Sequence, residues 1–308
     1  MKVAVTGSHG LIGSALATAL EADGHQVTRL VRGRPSGAGE VGWDPDAGTI
    51  DGPGLEGHDA VVHLAGVGIG DHRWTPDHKA RVLDSRVRGT TLLAETLAGL
   101  DRPPPVLASG SAVGFYGDCG DTEITEKSEA GTGFLATVVQ AWESAAAPAV
   151  EAGIRVAYLR SGVVLSARGG ALGKQLPAFK AGVGGRLGSG RQWLSWIAIG
   201  DEVGAIRHVI ARPEIAGPVN LCAPEPVTNA EFTKTLGQVL HRPTVLPTPT
   251  TALRILFGRE MVEEMLLAGQ KVLPEVLVST GYVFAFPALG AALAAQLGRS
   301  STRTQATP

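Results

Sequence analysis

Cysteine is nearly missing from this chain: Cys119 and Cys222 are the only two in 308 residues. Two thiols cannot build a disulfide framework or a four-thiolate zinc site, and a reducing, cytoplasmic setting is expected. A charge excess of either sign is missing too. Lys and Arg total 27 against 29 Asp and Glu, a net charge of −2, which leaves no global positive field to attract nucleic acid or an anionic membrane. No run of about 20 apolar residues occurs, so no membrane span is expected, and the opening Met1 to Thr6 enters a glycine turn without an export signal. The eight His residues include no pair at ligand spacing with a third ligand nearby, and no HExxH, so no metal site is expected.

Glycine, by contrast, is abundant. Its 42 residues are roughly twice the usual share and follow no collagen-like period, which implies tight turns and close backbone approaches. With 44% hydrophobic and 18% charged residues, the chain can bury a large core.

Lys2 to Thr6 is a short β-rich run, followed by a glycine turn and then Leu11 to Ala22 with apolar residues at helical spacing, which reads as strand, loop, helix. Further β-rich runs at Val27 to Val31, Ala60 to Leu64, Val106 to Ser109 and Arg155 to Leu159 alternate with helical stretches near 77–99 and 133–152. That alternation predicts an α/β fold, a Rossmann-like doubly wound parallel sheet. The dinucleotide-binding core is expected over 1–165, with a strand and helix near 197–222 returning to it. Residues 166–196 and 223–298 are expected to form a smaller, mainly helical C-terminal substrate lobe, and 299–308 a frayed polar tail.

Thr6-Gly7-Ser8-His9-Gly10-Leu11-Ile12-Gly13 lies directly between the first strand and the first helix, with glycines at relative positions 1, 4 and 7. Gly7 permits the tight turn, Gly10 lets backbone approach a pyrophosphate, and Gly13 lets helix and strand pack closely, while the helix N-terminus supplies N–H donors. The second strand ends Leu30-Val31-Arg32 without the acid that would bond the ribose hydroxyls of NAD. Arg32 offers a planar, permanent cation suited to a 2′-phosphate, with Arg29 or Arg34 assisting, so NADP is preferred over NAD. The alternative for Arg32 is a solvated surface charge.

These motifs, with His63-Leu64-Ala65-Gly66, Ser109-Gly110-Ser111-Ala112-Val113 and Leu159 to Leu165, resemble an atypical extended short-chain dehydrogenase/reductase of the NAD(P)-dependent epimerase/dehydratase-like family. Gly169 to Gly173, Leu187 to Gln192, Asn220 to Pro224, Val227 to Phe232 and Gly269 to Pro274 narrow the resemblance to members with a C-terminal domain of unknown function. It implies that Leu64, Ala65 and Gly66 line the adenosine and pyrophosphate side, that Arg86 reaches the cofactor from the following helix, and that Val163 flanks the nicotinamide through its backbone.

Hydride chemistry in that superfamily uses a Ser or Thr, a Tyr, and a Lys four residues after the Tyr. Ser111 fills the first position. Leu135 and Val139 fill the other two, or Phe134 and Val138 if the register shifts by one, and neither pair can move a proton. Tyr116 is the candidate substitute, ahead of Asp118; the alternatives are that Phe115-Tyr116 forms an apolar pocket wall and that Ser111 only bonds the cofactor amide or caps its strand. Nucleotide-sugar enzymes of this group also place Arg and His where Leu194 and Ala198 stand, which removes a phosphate clamp. Trp74, Trp193, Trp196 and Phe115 instead suggest an aromatic substrate pocket, and the acidic run Asp118, Asp121, Glu123, Glu126, Glu129 reads as a solvated loop. Two functions remain in view: an NADP-dependent oxidoreductase or epimerase-like enzyme acting on a small, unidentified carbonyl or hydroxyl compound, and a non-catalytic NADP-binding sensor. A monomer or homodimer is expected.

Overall fold

The computed structural model describes residues 1–298; the tail expected at 299–308 lies outside the described residues. Strand β1 (Lys2–Thr6), helix α1 (Leu11–Ala22) and strand β2 (Gln26–Val31) open the chain. Val3, Ala4 and Val5 are wholly buried, as a central parallel strand requires on both faces. Helix α1 turns Gly13, Leu16, Ala17 and Leu20 inward, a 3.6-period stripe, and Gly24 at φ +78 follows its end.

Between 31 and 60 the sequence reading contains no strand. The structure adds β3 (Glu40–Asp44), parallel to β2, and β4 (Thr49–Ile50), antiparallel to β3. Val41 and Trp43 are the only buried positions of β3, too short an alternation to register among flanking Gly and Pro. Strand β5 (Ala60–His63), helix α2 (Pro76–Ala98), strand β6 (Val106–Ala112) and the two-residue β7 (Glu123–Ile124) follow.

The single helix expected over 133–152 is two, α3 (Phe134–Ser144) and α4 (Ala147–Glu151). Pro148 has no N–H to continue the ladder, so the chain turns at Ala145 and Ala146 and restarts. After β8 (Arg155–Ser161), β9 (Val163–Leu165) leaves the main sheet and pairs with β11 (Trp196–Ala198). Between them lie α5 (Gly170–Lys180) and β10 (Trp193–Leu194). Helix α6 (Ile199–Ala211) and strand β12 (Gly217–Leu221) then return to the main sheet, where β12 pairs with β8.

The main sheet runs β12-β8-β6-β5-β1-β2-β3-β4, parallel except for β4. Helices α1 and α6 cover one face through Leu16, Leu20, Ile206 and Val209, while α2 and α4 cover the other through Leu93, Leu97 and Ala149. This is a doubly wound Rossmann-like fold with a mainly helical C-terminal region. That region contains β13 (Val227–Thr228), which pairs with β10, then α7 (Asn229–Leu240), α8 (Thr250–Phe257), α9 (Arg259–Val262), β14 (Lys271–Val272), α10 (Glu275–Ser279) and α11 (Leu289–Gln296). A second core, built from Leu172, Phe179, Phe232, Leu236 and Leu293, joins α5, α7 and α11.

Candidate functional site

Strand order reverses at β1, with β2 on one side and β5 on the other. The crevice at such a switch point is where open α/β sheets bind ligands. Gly7 turns there at φ +64, and a Cβ on it would stand 2.8 Å from the Leu64 carbonyl. A Cβ on Gly13 would fall onto the Gly7 carbonyl oxygen. Both glycines are therefore demanded by the chain itself. Gly10 is different: its φ of −75 suits any residue, and the nearest atom to its missing Cβ is the Gly7 oxygen at 3.2 Å. Its bare backbone lines a cavity of about 530 Å³ together with Gly7, Ser8, His9, Arg32, Trp43 and Leu64 to Val67. Leu11, Ile12 and Gly13 form the first turn of α1 behind that wall.

The floor is held by polar groups with no freedom left. Thr6 Oγ1 accepts the N–H groups of Leu64 at 3.0 Å and Ala65 at 3.2 Å, so its own proton goes to His63 Nδ1 at 2.7 Å. His63 Nε2 is then the donor to Thr90 Oγ1 at 3.0 Å. Burial, helped by the Arg86 charge, pushes this imidazole down to about 4, so it is neutral.

Arg32 stands on the rim, half exposed, and Asp46 Oδ2 lies 3.7 Å from its Nη1. The expectation of no neighbouring acid is thus corrected, because the turn between β3 and β4 folds Asp46 back over the end of β2. Arg29 is engaged elsewhere, by Glu21 at 2.6 Å. Arg86 lies under the cavity wall: Nη1 donates to Val67 O at 2.9 Å and Val82 O at 3.1 Å, and its guanidinium stacks on Trp142. Its observed contacts make it a brace for the 64–67 loop. The Val163 N–H donates to Ser195 O at 2.8 Å and is not free for a ligand.

The proton-transfer candidates form a different arrangement from the one expected. Leu135 and Val139 both stand near Gly114, on the inner side of α3. Ser111 Oγ donates to Glu143 Oε1 at 2.6 Å, and Arg160 holds both oxygens of that carboxylate through Nε and Nη2 at 2.8 Å. Tyr116, 2% exposed, donates to Asn220 Oδ1 at 2.8 Å and accepts from Arg160 Nη1 at 2.9 Å. Burial pushes its phenol up to about 12. Both bonds hold the Tyr116 hydroxyl inside the protein, which counts against the proton-donor role expected of it, while Ser111 stays at the end of β6.

A family model described as the NAD dependent epimerase/dehydratase family matches residues 3–222. The chain belongs to this family. A second model, a domain of unknown function (DUF1731), matches residues 248–296. The epimerase family protein Mb2239 of Mycobacterium bovis is 46% identical over 301 residues, 98% of either chain. The epimerase family protein SDR39U1 of Homo sapiens is 40% identical over 296 residues, 95% of this chain and 98% of that one. A crystal structure of human SDR39U1 (isoform2) with NADPH superposes with a TM-score of 0.87 at 38% identity, over 95% of this chain and 98% of that one. A nucleoside-diphosphate sugar epimerase from Corynebacterium glutamicum superposes at 0.80 with 40% identity, over 98% of this chain and 59% of that one.

A family dinucleotide fits the residues present. The cavity at the switch point is walled by the bare backbone of Gly10, where a Cβ would conflict only mildly with the protein, at 3.2 Å from the Gly7 oxygen. Sequence reasoning missed Trp43 and Asp46, which reach the site from β3 and its turn, and passed over His9 inside the quoted motif. The aromatic pocket does not form. Trp196 is fully buried and bonded to Glu225 O, Trp193 is tied to Asp121, Phe115 stacks on Arg160, and Trp74 packs on Phe134. Nor is the acidic run wholly solvated: Glu126 is buried, accepting from Asn220 N and Val276 N through Oε1.

Proposed function

We propose that this family member is an NADP-binding oxidoreductase or epimerase-like enzyme for a small carbonyl or hydroxyl compound. The observation that carries the reading is Arg32 on the rim of the glycine-turn cavity, joined by the likeness to a human relative whose structure is described with NADPH. The turn of Gly7, Ser8, Gly10, Leu11, Ile12 and Gly13 would hold the pyrophosphate, Arg32 the 2′-phosphate, and Leu64, Ala65 and Gly66 the adenosine side. Arg86 would act by fixing Val67. The nicotinamide, when bound, supplies two-electron redox chemistry.

Toward a substrate, Ser111 is the remaining polar group. Its proton is committed to Glu143, an anion clamped by Arg160, so its hydroxyl offers lone pairs and accepts from a substrate hydroxyl. With no phenol and lysine at 135 and 139, general acid–base help of typically ~10²–10⁴-fold is lost, and turnover is slow. The same observation favours a second reading, a non-catalytic NADP-binding sensor. Spectrophotometric NADPH oxidation across a carbonyl panel, paired with calorimetric NADPH titration, separates them. Slow turnover supports the enzyme, and binding without turnover supports the sensor. Failure to bind NADPH removes both.

A further inference from the structure

The DUF1731 stretch reaches the start of α3 and Gly70, a few residues along the chain from the dinucleotide wall. Its residues 258–267 enter at Gly258, whose φ of +90 is left-handed, run through α9, and continue as a single π-turn over Glu263–Leu267. Single π-turns interrupt regular helix pairing and recur at functional sites. Gln192 Nε2 donates to Leu266 O at 3.0 Å and Arg254 stands 3.6 Å from Glu263, and three further contacts tie the segment to α3, to α2 and to the loop after β5. Glu264 Oε1 and Oε2 accept the N–H groups of Phe134 at 3.0 Å and Leu135 at 2.9 Å, capping α3 where Gly133 has no side chain to do so. Glu260 pairs with Lys79 at 2.6 Å. The Met265 methyl abuts Gly70, only 3.2 Å from where a Cβ would stand. Gly70 lies on the loop whose earlier residues, Leu64 to Val67, wall the dinucleotide cavity.

Beyond the π-turn the chain is fixed. Gly269 N donates to Asp118 Oδ1 at 2.9 Å, and Gln270 Nε2 donates to Val113 O and Gly117 O. Within 258–267 itself only Met261 and Val262 are buried. The segment is thus a short bridge with a firm post at one end, little buried surface along its length, and a charged catch in the middle.

We propose that residues 258–267 are a latch over the dinucleotide-wall loop, with Glu264 as its catch: the carboxylate on the first turn of α3 keeps Met265 against Gly70 and slows release of bound dinucleotide. Glu264 is a positioning residue, acting through α3 and the loop. The proposal rests on the NADP reading above and assigns a role to the stretch of unknown function.

The test uses the whole chain and NADPH as probe. Stopped-flow fluorescence gives association and dissociation rates, and hydrogen exchange gives protection at Phe134, Leu135 and 259–267. Glu264→Gln is expected to raise the NADPH dissociation rate at least about tenfold with the association rate within about twofold, since a loosened catch speeds opening while leaving the empty cavity intact. In the wild type, NADPH should increase protection of 259–267; in Glu264→Gln it should not. Lys79→Met, which removes the Glu260 tie and the ammonium over the Phe134 ring but leaves the Glu264 cap in place, should raise the dissociation rate by a smaller factor. Dissociation rates within twofold of wild type in Glu264→Gln overturn the latch while leaving the NADP reading intact. No NADPH binding by the wild type overturns both.

Discussion

Arg32 shows how one side chain carries a cofactor preference and how its surroundings temper it. Its guanidinium is permanently charged and planar, but Asp46 at 3.7 Å competes for it across solvent, an attraction worth little at such exposure. A doubly charged phosphate outcompetes that carboxylate. Arg32→Ala should therefore weaken NADPH about tenfold or more, ~1.4 kcal/mol, while leaving NADH within about threefold, as isothermal titration would read; equal losses for both would deny Arg32 the 2′-phosphate.

Glu202 makes a second residue-scale case. It is wholly buried, accepts one bond from Ser161 Oγ at 2.6 Å, and its Oε2 has no hydrogen-bond partner among the described residues. Burial raises this carboxyl to about 8, against about 4.3 in the unfolded chain. The folded state therefore holds a proton that the unfolded state releases. Its contribution to stability is complete below about pH 4 and is lost as pH rises through about 8. Glu202→Gln keeps the Ser161 partner and cannot ionise, so its advantage over wild type should grow by a few kcal/mol between pH 5 and 8. Parallel denaturation curves for the two proteins across that range would contradict this assignment.

At the scale of elements, the β1–turn–α1 unit separates glycines by the reason for each. Gly7 and Gly13 are fixed by contacts inside the protein, and substitution there damages folding. At Gly10 a Cβ would press only on the Gly7 oxygen, at 3.2 Å, a milder conflict than at Gly7 or Gly13, so Gly10→Val should abolish NADPH binding while the far-ultraviolet circular dichroism stays within about a tenth of wild type. Retained affinity would place the dinucleotide elsewhere. The break between α3 and α4 works on the same scale: it makes α3 a short helix whose N-terminal donors need an outside cap, and Glu264 provides it from about 130 residues away.

For the whole molecule, the two family matches meet in a shared core. Leu277 of α10 is buried in the same cluster as Val3, Leu16 and Val219, and Leu289 and Leu293 complete the cluster of α5 and α7. Strand β14 pairs with β7, and Asp201 at the start of α6 accepts from Ala285 N and Phe286 N. Truncation after Pro247 removes Val262, Val272, Leu277 and Leu293, each fully buried, and exposes the apolar surface of residues 1–247 against which they pack. At ~1.5–3 kcal/mol per side chain this rivals the ~5–15 kcal/mol that holds a typical domain folded. Residues 1–247 alone should show no cooperative thermal transition, and a sharp transition with native near-ultraviolet dichroism would show that the C-terminal stretch is an independent unit.

What the sequence determined by itself is what neighbouring residues dictate. The glycine spacing at 7, 10 and 13, the apolar stripe of α1, the strand–helix alternation and the lack of Tyr and Lys at 135 and 139 are local facts, set by backbone sterics and by the periods of helix and strand. They sufficed for the doubly wound fold and the glycine turn. Tertiary structure alone decided which side chains stay free. Tyr116 reads as a reactive phenol until Asn220, 104 residues away, and Arg160, 44 away, fold onto its hydroxyl. Arg32 reads as unopposed until β3 and β4 form, and nothing in the sequence singles out Glu264, which only the fold brings to α3. A buried polar atom must find a partner wherever the packed chain presents one, and at separations of tens to hundreds of residues that choice belongs to the packing of the whole.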